Sequence, residues 1–415
     1  MGLSRSYMWT LLLFGALLPL AALFGTTMLG GTESDARGSD LTESTDAQNS
    51  DPRELGFAYD PQDEEGSHAD SDFEWWYHFG FLKRRDSKKY EYSFVSSFQR
   101  SPGGRYLFYN LADLKTGEKH HCALVDRSLF GVGDGSESSG DEKQRASKGL
   151  FASIGQRFRR WALDVLPVLP DGHEFMSTPV ETDEPPDREP WLIYGENQLL
   201  KQEDLYEVRF KNRNYQLELT LRYEGPAMPV LGTGLTGLAK PEDQHYYSYP
   251  RMSACGQLET EEQKVELVGE FWYDHQWGIT SSKTLMKWCW WGIQLDNGKN
   301  VGLFFLQDMR TGERVQQGLT LHHADGTTDV SQSLKFTPKR KWKSPEKRTY
   351  VVEWHVEASE LELTLHIRPF TDNHEIPALL YGRIWEGPCK VEARFGKGPV
   401  VGGRGFQELI GQNVE

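Results

Sequence analysis

The stretch EFWYDHQWG at residues 270–278 sets Asp274, His275 and Gln276 among four aromatic residues. Successive side chains of a β-strand point to opposite faces, so residues 272, 274 and 276 share one face and residues 271, 273, 275 and 277 share the other. If this stretch is a regular strand, Asp274 and His275 point apart. They then cannot form a catalytic dyad or bind one metal ion together, and Asp274 is left beside Trp272 and Gln276.

Asp274 has a specific chemical use if it is buried. An exposed aspartic acid has a pKa of about 3.9 and is ionised at neutral pH, whereas burial raises the pKa and lets the group act as an acid. Aromatic faces can also stabilise a carbocation. Acid-catalysed addition of water to an alkene needs both effects. The residues alone leave open an ordinary carboxylate that caps a turn or pairs with an arginine.

The elements that position these groups are predicted to be strands. The chain after residue 72 is rich in aromatic residues, Val and Thr, alternates in polarity, and is interrupted by turns such as Asp296-Asn297-Gly298. Residues 75–100 and 290–310 resemble each other, each with a paired Trp, a strand, a polar turn and a second strand that ends at an Arg. This repeat indicates duplication of one β unit, so we expect an all-β fold with two barrels or sandwiches.

The N-terminal region is predicted to lie apart from the folded body. Residues 1–31 contain a run of roughly twenty apolar or small residues behind a single Arg, which is typical of a signal peptide or an N-terminal membrane anchor helix. Either would place the body outside the cytoplasm, as a periplasmic, secreted or membrane-anchored protein. Residues 32–71 are rich in Ser, Gly, Asp and Glu and are predicted to form an acidic disordered linker.

Charge and motif content exclude several classes of function. The formal net charge is −15, and nucleic-acid binding depends on clustered Lys and Arg, so no nucleic-acid partner is expected. The sequence has no G-x-S-x-G, Walker or H-E-x-x-H motif, and we predict neither a metal site nor a cofactor. The four cysteines are too widely spaced for a zinc site and can form up to two disulfides or remain free thiols: Cys122, Cys255, Cys289 and Cys389.

Residues 131–190 interrupt the strand pattern. Within them, residues 143–166 carry apolar side chains at helical spacing and several Lys and Arg, which predicts a short basic amphipathic helix. Such a helix can lie on an anionic membrane, which would add to membrane association through residues 1–31. The alternative is a helix that closes a barrel mouth and exposes its charges to water.

Four ordered segments resemble the AttH-like and carotenoid 1,2-hydratase family. They are DFEWWYHFGFL at 72–82, YYSYPRMSACGQL at 246–258, GEFWYDHQWG at 269–278 with WCWWGIQLDNG at 288–298, and IWEGPCKVEARFGKGPVVGGRGFQELIG at 384–411. The resemblance implies two lipocalin-like antiparallel β-barrels in tandem. We place the first at 72–258, including the insertion at 131–190, and the second at 259–415.

The resemblance also implies a function and a set of site residues. The expected activity is cofactor-free hydration or hydrolysis of a long apolar ligand, either an isoprenoid or a lipid, with Asp274 as the proton donor. The residues expected to contact the ligand are Glu74, Trp76, Tyr77, Tyr247, Trp272, Gln276, Trp290, Trp291 and Glu386. The alternative is a non-catalytic carrier or export accessory protein that binds a lipid in the same pocket.

Overall fold

The computed structural model describes residues 55–130, 169–176, 191–280, 286–379 and 381–410. This part of the chain is built almost entirely from β-strands, which form two curled antiparallel sheets, each a half-barrel. The all-β fold with two lipocalin-like units is therefore confirmed. Short 3-10 helices interrupt the strands at Arg127–Phe130, Val230–Gly232, Pro241–Asp243 and Ser359–Leu361.

The first sheet brings the first and last of its strands together at its centre. Its order is β5-β4-β3-β2-β1-β12-β11-β9-β8-β7-β6, with the short β10 paired to β11. Neighbours are antiparallel except β4 and β5, which are parallel. The strands are β1 (Phe73–Arg84), β2 (Tyr92–Ser101), β3 (Gly104–Asp113), β4 (Lys119–Val125), β5 (His173–Phe175), β6 (Trp191–Tyr194), β7 (Asn197–Gln202), β8 (Leu205–Lys211), β9 (Tyr215–Tyr223), β10 (Met228–Pro229), β11 (Gln244–Thr260) and β12 (Lys264–Gly278).

The second sheet repeats this plan with fewer strands. Its order is β16-β15-β14-β13-β22-β21-β19-β18-β17, with β20 paired to β21. The last strand again pairs with the first strand of its sheet, β13. The strands are β13 (Met286–Leu295), β14 (Asn300–Asp308), β15 (Arg314–His322), β16 (Thr328–Ser331), β17 (Leu334–Lys343), β18 (Thr349–Ala358), β19 (Leu363–Pro369), β20 (Glu375–Ala378), β21 (Gly382–Phe395) and β22 (Val400–Ile410).

Alternating polarity explains why these segments are strands. Along β8 and β9, buried residues alternate with exposed or half-buried ones, because each strand places every second side chain inside the half-barrel. The turn between β13 and β14 uses Gly298 at a φ of +86°, a conformation that glycine adopts without a steric penalty. Polarity pattern and turn chemistry thus both favour antiparallel hairpins, each at its own place in the chain.

Among the described residues, buried side chains form three clusters. One fills the first half-barrel and includes Trp76, and one fills the second and includes Trp291. The third lies between the sheets, where Phe79 and Trp272 of the first sheet pack with Trp290 of the second. Burying one such side chain contributes roughly 1.5–3 kcal/mol, so the third cluster holds the two sheets together.

The two Trp pairs of the internal repeat occupy equivalent places. Trp76 and Trp291, the second members, are fully buried in the core of their own half-barrel. Trp75 and Trp290, the first members, belong to the cluster between the sheets. Each unit therefore sends one Trp of the pair into its own core and one toward the other unit.

The boundary between the units differs from the division made from sequence. β12 pairs with β1 along the whole length of β1, so the first unit extends to Gly278 instead of ending at residue 258. The predicted boundary at 258/259 falls near the C-terminal end of β11, just before the turn that joins Thr260 to Lys264. That turn is the β11–β12 hairpin within the first sheet.

Residues 55–71 also differ from their predicted role as disordered linker. Phe57 is 4% exposed and joins the core of the first half-barrel. Glu65 is fully buried, and it accepts a hydrogen bond from the Tyr206 hydroxyl at 2.7 Å and lies 3.5 Å from Lys201 Nζ. An apolar anchor and a compensated acid thus fix a segment whose composition predicts disorder.

Other predictions fall outside the described residues or concern cysteine. The N-terminal segment 1–31 and the basic helix at 143–166 lie outside the described residues. Within the described ranges, no helix is both long and apolar enough to cross a bilayer. All four cysteines are free thiols, three of them buried and Cys255 exposed.

Candidate functional site

β1 and β12 carry titratable side chains on both of their faces. Tyr77 lies opposite Asp274 in the register, and both face the second sheet, where the Tyr77 hydroxyl donates a hydrogen bond to Glu386. His275 faces the interior of the first half-barrel, where its Nε2 lies 3.0 Å from Glu74 Oε1. Asp274 and His275 therefore belong to two separate sites, as strand alternation predicts.

Asp274 is 2% exposed, and its carboxyl group receives three hydrogen bonds. Oδ1 accepts from Ser248 Oγ at 2.6 Å and from Trp272 Nε1 at 2.6 Å, while Oδ2 accepts from the Tyr246 hydroxyl at 2.8 Å. All three donors are uncharged. Burial consequently raises the pKa of Asp274 to about 7, although the hydrogen bonds act to lower it.

The donors of Asp274 also determine which oxygen carries the proton. An indole N–H can only donate, so Oδ1 must remain an acceptor toward Trp272. A hydroxyl group can either donate or accept, and Tyr246 can therefore rotate its hydrogen away to accept a hydrogen bond from a protonated Oδ2. The acidic proton is placed on Oδ2, beside Tyr246.

The second sheet contributes two more carboxyl groups, Glu386 on β21 and Glu408 on β22, which are cross-strand neighbours. Glu386 is fully buried, and its Oε2 has no hydrogen-bond partner among the described residues. Burial and the charge of Glu408 raise the pKa of Glu386 well above its usual range. Glu408 is half-buried, and burial together with the charge of Asp274 raises its pKa to about 7, against a hydrogen bond from Trp288. Asp274, Glu386 and Glu408 are called the carboxyl site below.

Aromatic rings surround the carboxyl site. Trp290 stands edge-on to Tyr77, Phe79 and Trp272, with ring centroids 5.5, 5.9 and 6.1 Å apart. Phe79 stacks on Phe406 of the second sheet at 5.0 Å. These rings exclude water, and their faces carry the negative potential that attracts a cation. The arrangement can hold a proton at neutral pH and stabilise positive charge on an apolar molecule beside it.

The structure divides the residues expected to contact a ligand into groups. Tyr77, Trp272, Trp290 and Glu386 lie with Asp274 between the sheets. Gln276 is half-buried on the same face of β12, with Nε2 3.4 Å from Gln244 Oε1.

Four others lie elsewhere. Trp291 is buried in the second half-barrel, where its indole donates to Gln407 Oε1 at 3.0 Å. Glu74, Trp76 and Tyr247 point into the first half-barrel and surround His275. Strand alternation separates Glu74, Trp76 and Tyr247 from Asp274, because they lie with His275 on the opposite face of the first sheet.

Glu74 is the centre of this second group. It is 1% exposed and accepts hydrogen bonds from the ring Nδ1 of His68 at 2.7 Å, from Nε2 of His275 at 3.0 Å and from Nη1 of Arg100 at 3.2 Å. Burial alone would raise the pKa of Glu74, but the two histidines lower it to about 2. We call His68, Glu74 and His275 the histidine cluster.

Three residues were not predicted from the sequence: Glu408 of the carboxyl site, and Tyr246 and Ser248, which donate hydrogen bonds to Asp274. Tyr246 and Ser248 alternate along YYSYP, a stretch that resembles the AttH-like family and from which only Tyr247 was predicted as a site residue. Glu408 could have been found by counting. Positions equally far from Lys397, in the turn Gly396-Lys397-Gly398, pair across the hairpin, which sets Glu408 opposite Glu386.

Comparison with known proteins agrees with this fold. The AttH-like family model matches residues 184–412. A crystal structure of an AttH protein from Nitrosomonas europaea superposes with a TM-score of 0.63 at 20% identity, covering 86% of this chain and 97% of that one. Kievitone hydratase from Nectria haematococca superposes with a TM-score of 0.62 at 15% identity, covering 88% and 98%. Among curated proteins, no sequence match is found. Since the family model spans more than half of the sequence, the chain belongs to the AttH-like family.

Proposed function

We propose that this protein is a cofactor-free hydratase that adds water to a carbon–carbon double bond of a long apolar molecule, with Asp274 as the proton donor. The observation that carries the proposal is a buried carboxyl group with a pKa of about 7, enclosed by tryptophan rings between two sheets. A general acid works best when its pKa lies near the working pH. The surrounding side chains are mostly apolar, which suits a substrate without charged groups, such as an apolar alkene.

The reaction begins with proton transfer from Asp274 Oδ2 to the less substituted carbon of the double bond. The π electrons form the new C–H bond, and the electrons of the broken O–H bond remain on the carboxylate. Positive charge develops on the more substituted carbon, where the faces of Trp272 and Trp290 stabilise it. The Tyr246, Ser248 and Trp272 donors meanwhile stabilise the carboxylate that forms.

Water then attacks the cationic carbon and must lose a proton. The carboxyl group of Glu408 is suited to receive it, because a pKa of about 7 leaves this group partly ionised at neutral pH. Oε2 of Glu386 has no partner among the described residues, and the raised pKa keeps this group protonated, so Oε2 can donate a hydrogen bond that positions the attacking water. Return of the proton from Glu408 to Asp274 restores the starting state, and the net change is addition of H and OH across the double bond.

Two further observations support the class of ligand. The residues around the carboxyl site are mostly apolar, and burial of each methylene of a ligand is worth about 0.8 kcal/mol. Kievitone hydratase, which has the same fold at 15% identity, is a hydratase by name. From the apolar segment at 1–31 we also propose that the protein acts outside the cytoplasm. The proposed substrate there is an isoprenoid or a lipid.

The test uses isoprenoids with trisubstituted double bonds, such as farnesol and squalene, in water labelled with oxygen-18. The expected product has gained one labelled water, as detected by mass spectrometry, and the Asp274→Asn variant makes none while still binding the substrate. Equal turnover by wild type and variant would contradict the role of Asp274. Tight binding of the panel without label incorporation by the wild type would instead support the non-catalytic carrier.

A further inference from the structure

The histidine cluster lies on the face of β1 and β12 opposite the carboxyl site, and the proposed hydration does not use it. Its three residues come from different parts of the chain: His68 from the segment before β1, Glu74 from β1 and His275 from β12. One ligand-type atom of each residue lies within 4.8 Å of the other two, and Glu74 Oε1 contacts His68 Nδ1 and His275 Nε2. We propose that these three side chains bind one divalent transition-metal ion of the zinc class.

The distances suit such an ion. Zinc binds histidine nitrogen and carboxylate oxygen at about 2.0–2.2 Å, which sets neighbouring tetrahedral ligands roughly 3.3 Å apart. Here Glu74 Oε1 is 2.7 Å from His68 Nδ1 and 3.0 Å from His275 Nε2. Opening the position moves Glu74 Oε1 away from both nitrogens and brings the two histidine nitrogens, which lie within 4.8 Å of each other, to this spacing. Three protein ligands leave a fourth position for water.

The surroundings of the two histidines match those of metal ligands. A metal-binding histidine usually has its other ring nitrogen held by an oxygen, which fixes the tautomer and the ring orientation. His68 Nε2 lies 2.8 Å from Glu64 Oε2, and His275 Nδ1 lies 3.4 Å from the Tyr247 hydroxyl. In both rings, the nitrogen that faces Glu74 is the one available to a metal.

Stacking fixes both rings in place. His68 lies on Trp277 with centroids 4.2 Å apart and planes 5° apart, and His275 lies on Trp76 at 4.9 Å and 19°. Pre-oriented ligands reduce the conformational entropy lost on metal binding. The His68 side chain is 22% exposed and that of Glu64 38% exposed, so the cluster can exchange an ion with solvent.

Charge balance also favours a bound cation. His68 contacts the carboxylates of Glu64 and Glu74 through its two ring nitrogens, and a neutral imidazole has one N–H to offer. The second contact therefore requires an added proton or a metal ion on Nδ1. Oε2 of Glu74 accepts hydrogen bonds from Arg100 Nη1 at 3.2 Å and from the His68 backbone N–H at 3.0 Å. On Oε1 the ion would share the oxygen with the longer backbone contact of 3.2 Å. Zinc would displace the proton from Nδ1 and fasten residues 55–72 to the sheet.

The experiment measures zinc binding by the full-length protein after treatment with a chelator. Calorimetric titration and elemental analysis should give one zinc ion per chain, and zinc should raise the thermal unfolding midpoint. Cobalt substitution should produce the visible absorption bands of a four-coordinate site. His68→Gln and His275→Gln should each abolish stoichiometric binding, and Glu64→Gln should weaken it about 10–100-fold, as loss of a residue that orients a ligand does.

Two controls separate this site from other sources of binding. His366 also pairs with a carboxylate, that of Glu353, at 2.8 Å, but it lies on β19 of the second sheet, away from the histidine cluster. The His366→Gln variant should therefore bind zinc like the wild type. Asp274→Asn should also bind zinc normally, because the carboxyl site lies on the other face. Absence of stoichiometric zinc in the wild type, with the cluster holding only a proton, overturns the proposal. Unchanged binding in both the His68 and His275 variants does the same.

Discussion

Asp274 and Glu74 are carboxyl groups on two paired strands, and both are almost inaccessible to solvent, at 2% and 1% exposure. Their acidities nevertheless lie on opposite sides of the ordinary range. Burial raises the pKa of Asp274 to about 7, while histidine neighbours hold the pKa of Glu74 at about 2. Asp274 therefore holds its proton readily at neutral pH, whereas Glu74 is a permanent anion.

The difference shows that the partners of a carboxyl group, and not burial alone, decide its charge. Asp274 has hydroxyl and indole donors, which stabilise the anion only partly. Glu74 has Arg100 and two histidines, and these compensate its charge. Two faces of one strand pair thus provide an acid on one side and an anionic binding group on the other. The predictions below test this division.

The largest expected effect is on turnover. Asp274→Asn keeps the shape and most hydrogen bonds of the protonated acid but removes the transferable proton. Loss of a general acid lowers rates by about 10²–10⁴-fold, and we expect that loss in label incorporation from oxygen-18 water. A circular dichroism spectrum like that of the wild type is the control for folding. If Asp274→Asn keeps more than half of the wild-type activity, Asp274 is not the general acid.

Glu74→Gln should instead reduce stability. The substitution leaves the buried His275 and the half-buried Arg100 and His68 without their anionic partner. Breaking a fully buried ion pair costs about 3–5 kcal/mol, so we expect a loss of up to about that size. Denaturant unfolding should report this loss, with Glu357→Gln, which breaks an exposed pair with Lys335, as a control that loses under about 1 kcal/mol. If Glu74→Gln and the control unfold at the same denaturant concentration, Glu74 is not the anion described here.

The two carboxyl groups should affect stability with opposite sign, in neighbouring pH intervals. The folded pKa of Asp274 is raised, so its destabilising effect is absent below the unfolded value and grows as the pH rises from about 4 to 7. At about 1.4 kcal/mol per pH unit, the effect reaches about 4 kcal/mol above pH 7. Asp274→Asn does not titrate and should gain stability relative to the wild type over this interval.

Glu74 should show the reverse dependence. Its folded pKa is lowered to about 2, so its stabilising contribution is present above the unfolded value and is lost as the pH falls from about 4.5 toward 2. Unfolding curves collected across the pH range distinguish the two groups. Parallel pH profiles for wild type and Asp274→Asn between about pH 4 and 8 would show that Asp274 titrates normally.

Ser248→Ala should give the smallest change. The serine donates a hydrogen bond of 2.6 Å to Asp274 Oδ1 and so lowers its pKa. A hydrogen bond to a charged group is worth about 1.5–3 kcal/mol, so its loss should raise the pKa by about one to two units. The upper limb of the pH–rate profile should move to higher pH, whereas Ser93→Ala, a buried serine on β2, should leave it in place. A shift in the other direction would contradict the assigned donor role.

Patterns among residues close in sequence were enough to predict the all-β fold and the separation of Asp274 from His275. Alternating polarity and the paired-Trp repeat depend on residues that are close in sequence, and these features identified the two β units. The same alternation separated Asp274 from His275. It would also have placed Trp291 in the core, as the neighbour of Trp290 on one strand, but the family resemblance assigned a ligand-contact role to both.

Contacts between distant segments could not be predicted in this way. Tyr77 meets Glu386 across 309 residues, and strand alternation contains no information about which faces of two sheets meet. The histidine cluster depends on His68, which lies in a stretch whose acidic composition predicts disorder. Its fixed position comes from Phe57 and Glu65, whose burial becomes visible only when the first half-barrel is in place.

The most direct test of the division between the two faces is the titration of Asp274 itself. Infrared difference spectra between wild type and Asp274→Asn isolate the C=O stretch of the protonated carboxyl group as a function of pH. We predict a band that is present at about pH 5 and disappears with a midpoint near pH 7, the pKa to which burial raises Asp274. A midpoint near 4, the value for an exposed aspartic acid, would contradict the assignment of Asp274 as the acid.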